Sequence, residues 1–187
     1  MKLETRRIET KRLILRQFEI EDAHDMFVNY ASDPEVTKYL SWPAYTEETE
    51  AVGRMHWMRD QYAAGNVGDW AIELKEIGQL IGGIGIVGIN ENAKSVHIGY
   101  CLGRNWWHQG IMSEAFAAVI SYCFTEGGVN RIEAMHDPNN PHSGDVMKKC
   151  GLRYEGTSRQ SDWNNQGICD AAHYAILKED WLKGKSL

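Results

Sequence analysis

Apolar positions along the chain change period several times, and each change marks an element. Residues 12–18 (RLILRQF) alternate apolar and polar side chains, which predicts a strand. Ala23, Met26, Phe27 and Tyr30 then recur at helical spacing across 21–31, and Asp33-Pro34 ends that run. From Thr46 to Ala64 the apolar residues Ala51, Val52, Met55, Met58 and Tyr62 again share one side, with Gly65-Asn66 as a stop. Three strands follow over 70–74, 79–89 and 95–102, separated by turns at 76–78 and 90–92, so the middle of the chain reads as an antiparallel meander. The strongest period comes next: Met112, Ala115, Phe116, Val119, Ile120 and Cys123 keep the i, i+3, i+4 rule until Gly127-Gly128. A strand over 131–136, a short helix over 143–150 and strands over 152–159 and 170–177 complete the order β-α-α-β-β-β-α-β-α-β-β. That order predicts an α/β or α+β architecture around a mixed sheet.

Composition narrows the function classes. The 187 residues are one domain's worth of chain, and 43% hydrophobic with 25% charged residues is the balance of a globular protein with a sizeable core. The longest apolar stretch, 80–89, is broken by glycines and is far shorter than the roughly 20 residues a membrane helix needs, so no spanning segment is expected. The charged N-terminus MKLETRRIETKR is not followed by an apolar block, which argues against a signal peptide and for a cytoplasmic protein. Cys101, Cys123, Cys150 and Cys169 form no C-x-x-C pair and read as reduced thiols, with no metal site expected. A net charge of -6 with only a short basic cluster at Arg6, Arg7, Lys11 and Arg12 gives a nucleic-acid partner little support.

Two segments carry candidate chemistry. Gly83, Gly85 and Gly88 spell G-x-G-x-x-G, but they lie inside an apolar strand followed by another strand, not at a strand-to-helix turn, so they mark close packing and not a dinucleotide loop. The segment 100–115, YCLGRNWWHQGIMSEA, does run from a strand into the strongest helix. The first N–H groups of that helix have no internal partner, so a phosphate could sit against Gln109 to Ser113, with Gly110 permitting close backbone approach. Downstream, Asn139-Asn140-Pro141-His142-Ser143 precedes the short helix, and Ser143 is placed to cap it.

Taken together, TKRLILR, IGYCLGRNWWHQGIMSEA, NRIEAMHDPNNPHSGDVMKKCGLRYEG and the late D-x-x-x-Y resemble the GNAT superfamily of acetyl-CoA-dependent N-acetyltransferases. Within it the chain looks most like the RimJ/RimL-type ribosomal-protein-alanine N-acetyltransferases. The likeness runs from about Thr10 to Trp181, leaving 182–187 as a short tail. It implies a mixed, mostly antiparallel sheet of about seven strands flanked by about four helices. It also implies acetyl-CoA as donor and an amine acceptor, a protein N-terminus before a small amine, with a non-catalytic acyl-CoA-binding module as the alternative from another class; members of this branch are often homodimers.

Residue by residue, the resemblance places the coenzyme pyrophosphate on Trp107, His108, Gln109, Gly110, Ile111 and Met112, with Ser113 beside them. The branch usually has glycine where this chain has His108. Tyr100, Cys101 and Leu102 would lie on the strand that pairs with pantetheine. Asn140 and Ser143 match an N-x-x-S pattern in which Asn contacts the cofactor arm and Ser protonates the departing thiolate. An amine must lose its proton before it attacks a thioester, and an α-amine of pKa ~8 needs less help than a lysine of ~10.4. Two residues are candidate bases: Asp162, where related enzymes carry a carboxylate and where a loop over the cleft is expected, and His97, where many members have Glu. The loop gives Asp162 the first rank.

Overall fold

The longest alternating runs and the most periodic helix meet on one sheet. In the computed structural model, which describes residues 1–185, the chain runs β1 (Ile8–Glu9), β2 (Leu13–Arg16), α1 (Ala23–Met26), α2 (Pro34–Thr37), α3 (Glu48–Ala63), β3 (Asp69–Leu74), β4 (Gln79–Asn90) and β5 (Ser95–Leu102). It continues through α4 (Ile111–Thr125), β6 (Arg131–His136), α5 (Pro141–Lys149), β7 (Arg153–Asn164), β8 (Gly167–Leu177) and α6 (Lys178–Lys185). The strands form one eight-stranded sheet in the order β1-β2-β3-β4-β5-β6-β8-β7. Every pairing is antiparallel except β5 with β6. This is the mixed, mostly antiparallel sheet expected, with one more strand, because Ile8–Glu9 adds an edge to β2.

Each face of the sheet carries its own core. Helix α4 buries Phe116, Val119 and Ile120 against Trp70, Ile72, Ile84, Ile98 and Ile132. Each such side chain, fully removed from water, contributes about 1.5–3 kcal/mol. On the opposite face Met26, Tyr30, Met55 and Met58, from α1 and α3 and the turn between α1 and α2, cover Ala71 and Leu80. Alternation along β3 explains the division: Trp70 and Ile72 point one way, Ala71 the other.

Three boundaries differ from the sequence reading, each for a local reason. The helix expected over 21–31 opens after Met26 into a wide π turn, Phe27–Ala31, in which Ser32 N–H and Oγ both bond to the Phe27 carbonyl. That turn delivers Asn29 to the Leu80 carbonyl at 2.7 Å, while Asp25 accepts the Leu80 N–H at 3.0 Å. The last two strands are longer than 152–159 and 170–177 and form one hairpin whose tip docks on the 37–42 loop. Asn165 N–H meets the Leu40 carbonyl at 3.1 Å, and its amide donates to the Thr37 and Trp42 carbonyls at 2.8 Å each. The expected tail is helical over 182–185, within α6; residues 186 and 187 lie outside the described residues.

Candidate active site

Strands β5 and β6 stay together for only three residues. They pair at Ser95 with Arg131, Val96 with Ile132 and His97 with Glu133, while β6 continues along β8 as far as His136. Beyond His97 the two strands part, and the β5 edge over 98–101 faces a slot. Strand-edge N–H and C=O groups are a template for any extended amide chain laid beside them. Leu102 is drawn out of that template, since its carbonyl accepts the Trp107 indole N–H at 2.7 Å.

The start of α4 stands next in the chain. Its first internal bond runs from Glu114 N–H to the Gly110 carbonyl at 3.1 Å, so the N–H groups of Ile111, Met112 and Ser113 have no intrahelical partner. The side chains of Ile111 and Met112 are buried in the core, so what they offer a ligand is backbone. Gly110 sits in the left-handed region at φ +72°, and a Cβ on it would lie 3.5 Å from Lys149 Nζ and 3.8 Å from an Arg12 guanidinium nitrogen. Arg12 is fixed there by Glu114, Nε to Oε2 2.7 Å, and by the Gln109 carbonyl at 2.9 Å. Two cations and a helix N-terminus thus converge on one glycine, the arrangement that binds phosphate. His108 is also left-handed, φ +59°, and its ring stands edge-on to His142 at 4.7 Å. Gln109 turns its amide back to the Asn105 carbonyl at 2.8 Å.

The expectation that Ser143 caps the short helix is corrected. Helix α5 begins two residues earlier because Pro141 takes its first position, where a missing N–H costs nothing, and Asn140 becomes the N-cap without a side-chain cap bond. Ser143 is thereby inside the first turn, with its Oγ 3.0 Å from the Tyr100 hydroxyl, which also donates to the Ser143 carbonyl at 2.9 Å. Burial pushes the Tyr100 pKa well above the usual phenol range. Ser113 is joined to α5 by its carbonyl, which accepts the Cys150 thiol at 3.4 Å.

His97 lies on strand β5, as expected, whereas Asp162 falls in a different place. Asp162 is on β7, opposite Cys169, and not in a free loop; the loop expectation failed because the hairpin ladder resumes after a bulge between Ser158 and Asp162. His97 is two residues from Gly99 and so shares its face of β5; a Cβ on Gly88 would lie 3.3 Å from His97 Cβ, confirming the side. Burial lowers the His97 pKa, with Glu133 and Asp162 pulling upward and His173 downward.

That same face holds a cleft of about 430 Å³ between β4, β5 and the helices above. Phe18, Tyr30, Trp42 and Tyr45 supply aromatic walls, and Gly99, Tyr100 and Cys101 bring the β5 edge to its side. Its charged lining is the ion pair of Asp69 and Arg54, bonded at 2.8 Å. Burial pushes the Cys101 thiol up to about 12, so it stays protonated and does not act as a nucleophile at neutral pH.

An acetyltransferase (GNAT) domain profile matches residues 12–153. The chain belongs to this family. An uncharacterized N-acetyltransferase, p20, of Bacillus licheniformis is 35% identical over 92% of this chain and 96% of its own. The alanine N-acetyltransferase of ribosomal protein uS5 from Escherichia coli is 25% identical over 96% and 94%. A solved structure of RimL, an α-N-acetyltransferase of ribosomal protein L7/L12 in complex with coenzyme A, superimposes with a TM-score of 0.81 at 21% identity, covering 92% of this chain and 98% of that one. The chain is therefore an N-acetyltransferase of the GNAT fold, related to the ribosomal-protein-alanine enzymes.

Several residues that shape the two sites escaped the sequence reading. Lys149 carries no signal beyond being basic near a helix end. Arg54, Asp69, Tyr30 and Tyr45 come from separate elements and meet only in the fold. The glycines did give a signal: a Cβ on Gly85 would lie 1.8 Å from Asp69 Oδ1, so the run 82–88 marks close approach.

Proposed function

We propose that the chain transfers the acetyl group of acetyl-CoA to a primary amine by direct attack on the thioester, with a protein or peptide N-terminal α-amine as the favoured acceptor. The parting of β5 from β6 beside the Gly110 turn carries the reading, because it joins a strand-edge slot to an anion site. The residues present fit coenzyme A: Gly110 leaves room for a phosphate against the backbone of 111–113, Arg12 and Lys149 offset its charge, and the 98–101 edge suits the amides of pantetheine. When bound, acetyl-CoA supplies an activated acyl carbon and a thiolate leaving group.

The protein's own groups divide the remaining work. His97, kept neutral at pH 7 by burial, takes the acceptor's proton, and the carboxylates of Glu133 and Asp162 stabilise the imidazolium that results. A backbone N–H of 100–102 hydrogen-bonds the carbonyl oxygen as negative charge grows on it. Ser143, already in contact with Tyr100, supplies a proton toward the departing sulfur, and Asn140 holds the cofactor arm. The N-terminal α-amine is favoured by the relation to the uS5-alanine enzyme and by an α-amine's pKa near ~8, which a modest base can meet. A small amine is the second reading, favoured by the aromatic walls that bound the cleft. Thiol release from acetyl-CoA, measured with a panel of peptides and small amines, tests both; no release with any primary amine refutes them.

A further inference from the structure

Strands β3, β4 and β5 line up Asp69, Gly85 and Gly99 in one row across the sheet. Neither glycine puts a side chain between Asp69 and the β5 edge, and what borders that space is Val87, whose Cγ1 lies 3.1 Å from where a Gly99 Cβ would be. The carboxylate uses that room: its Oδ1 leans over β4 to within 1.8 Å of where a Gly85 Cβ would be. With strands about 4.8 Å apart, the lean over β4 brings Oδ1 to roughly one strand spacing from β5.

The pairing of this carboxylate is one-sided. Arg54, which also lines the cleft, bonds Oδ2 at 2.8 Å while its guanidinium rests over the Trp57 ring at 4.3 Å, so it fixes the side chain through that one oxygen. Oδ1 accepts no hydrogen bond from the described residues and opens on the cleft, whose aromatic walls attract cations as well as apolar groups. A half-satisfied carboxylate among aromatic faces is a receptor for an ammonium that carries an apolar arm.

We propose that Asp69, braced by Arg54 and given room by Gly85, docks the acceptor as its ammonium form and selects primary amines whose aryl or alkyl arm lies along Phe18, Trp42 and Tyr45. This rests on the acetyl-transfer reading and names its acceptor subsite. Asp69 binds and orients the nitrogen next to the β5 edge; it is not the proton acceptor.

The test uses 2-phenylethylamine and the peptide Phe-Gly-Gly-amide as acceptors, the neutral 2-phenylethanol as inhibitor, and acetyl-CoA thermal stabilisation as a separate readout. Wild-type protein should acetylate at least one of the two amines, the small amine or the peptide telling which source the subsite serves. Asp69→Asn should raise KM for that amine at least tenfold with kcat within threefold. Inhibition by 2-phenylethanol and the acetyl-CoA shift should stay as in wild type. Asp69→Glu should recover part of the loss, and Gly85→Ala, which puts a methyl where the carboxylate lies, should reproduce it without removing a charge. An unchanged KM in folded Asp69→Asn, or acetylation of neither amine by a protein that acetyl-CoA still stabilises, overturns the acceptor subsite and leaves acetyl transfer standing. No acetyl-CoA stabilisation and no thiol release with any amine takes down both.

Discussion

The proposed donor and acceptor sides of this molecule are built in opposite ways. The proposed donor side centres on a continuous run, 107–113, whose contribution is mostly backbone (two left-handed residues, three outward N–H groups and buried side chains at Ile111 and Met112), with Arg12 and Lys149 as the two side chains brought to it. The proposed acceptor side is assembled from side chains on separate parts of the chain, with Phe18, Tyr45, Arg54 and Asp69 contributing singly and Gly85 leaving room for them. A backbone site tolerates side-chain change wherever the dihedral angles survive. A side-chain site tolerates insertion and drift in sequence but loses function with single atoms.

The sharpest way to break that comparison is at Gly110. Gly110→Glu imposes a left-handed strain on an L residue and drives a carboxylate into the space beside Lys149 and Arg12. It should abolish the thermal stabilisation that acetyl-CoA confers by binding the folded state, and with it all measurable turnover. A folded Gly110→Glu protein that acetyl-CoA stabilises as well as wild type would remove the anion site from the donor side.

Ser143 probes a side chain lodged in the donor half. If its hydroxyl feeds a proton to the leaving sulfur, Ser143→Ala lowers kcat by about 100-fold, the low end of general-acid effects, with KM for acetyl-CoA little changed. Loss of the Tyr100 contact alone costs roughly 1 kcal/mol of stability and leaves the rate per folded molecule intact. Kinetics and a denaturation curve on the same protein separate the two.

This division also explains what was legible in the sequence. Strand and helix order followed from apolar period, because both faces of the sheet bury continuous patterns, and the donor loop showed as glycine between a strand and a periodic helix. The π turn at 27–31 was not legible, because its cause is the reach of Asn29 and Asp25 to Leu80, some 50 residues away. Asp162 was misplaced because polar RQSDWNN reads as loop, whereas pairing with β8 holds it in a ladder. Asp69 had no local signal at all; only the register of three strands sets it over Gly85.

The proton acceptor gives a smaller effect and a pH signature. His97→Gln should cost about tenfold in kcat/KM at pH 7, near 1.4 kcal/mol, with Asp162→Asn losing less. Because burial lowers the folded pKa of His97, wild-type activity should stay flat at neutral pH and fall as pH drops through a midpoint below the ordinary ~6.5. Asp162→Asn should move that midpoint further down, since the lost carboxylate had raised it. Stability carries the same sign: the unfolded state binds the proton first, so the fold weakens as pH falls below ~6.5. A profile in His97→Gln identical to wild type, or a larger loss in Asp162→Asn, moves the base to β7.

The smallest effect should come from the donor turn's other left-handed residue. His108 occupies a left-handed turn at φ +59°, a conformation that glycine adopts without strain and a histidine holds at a cost of about 1–2 kcal/mol. His108→Gly relieves that strain, but glycine gives back about 0.5–1 kcal/mol through the freer unfolded chain, and the edge-on contact with His142 is lost. The opposing terms nearly cancel, so Tm should move by less than about 4 °C. Acetyl-CoA affinity should change by under about threefold if, as proposed, the phosphate's partners are N–H groups 111–113, Arg12 and Lys149, none of which the substitution touches. Removal of Tyr45, a comparable loss of ring on the acceptor side, should cost far more in KM for the amine. A tenfold fall in acetyl-CoA affinity in His108→Gly would show that the imidazole itself meets the phosphate, and the donor side would then depend on a side chain of the turn itself as well as on Arg12 and Lys149.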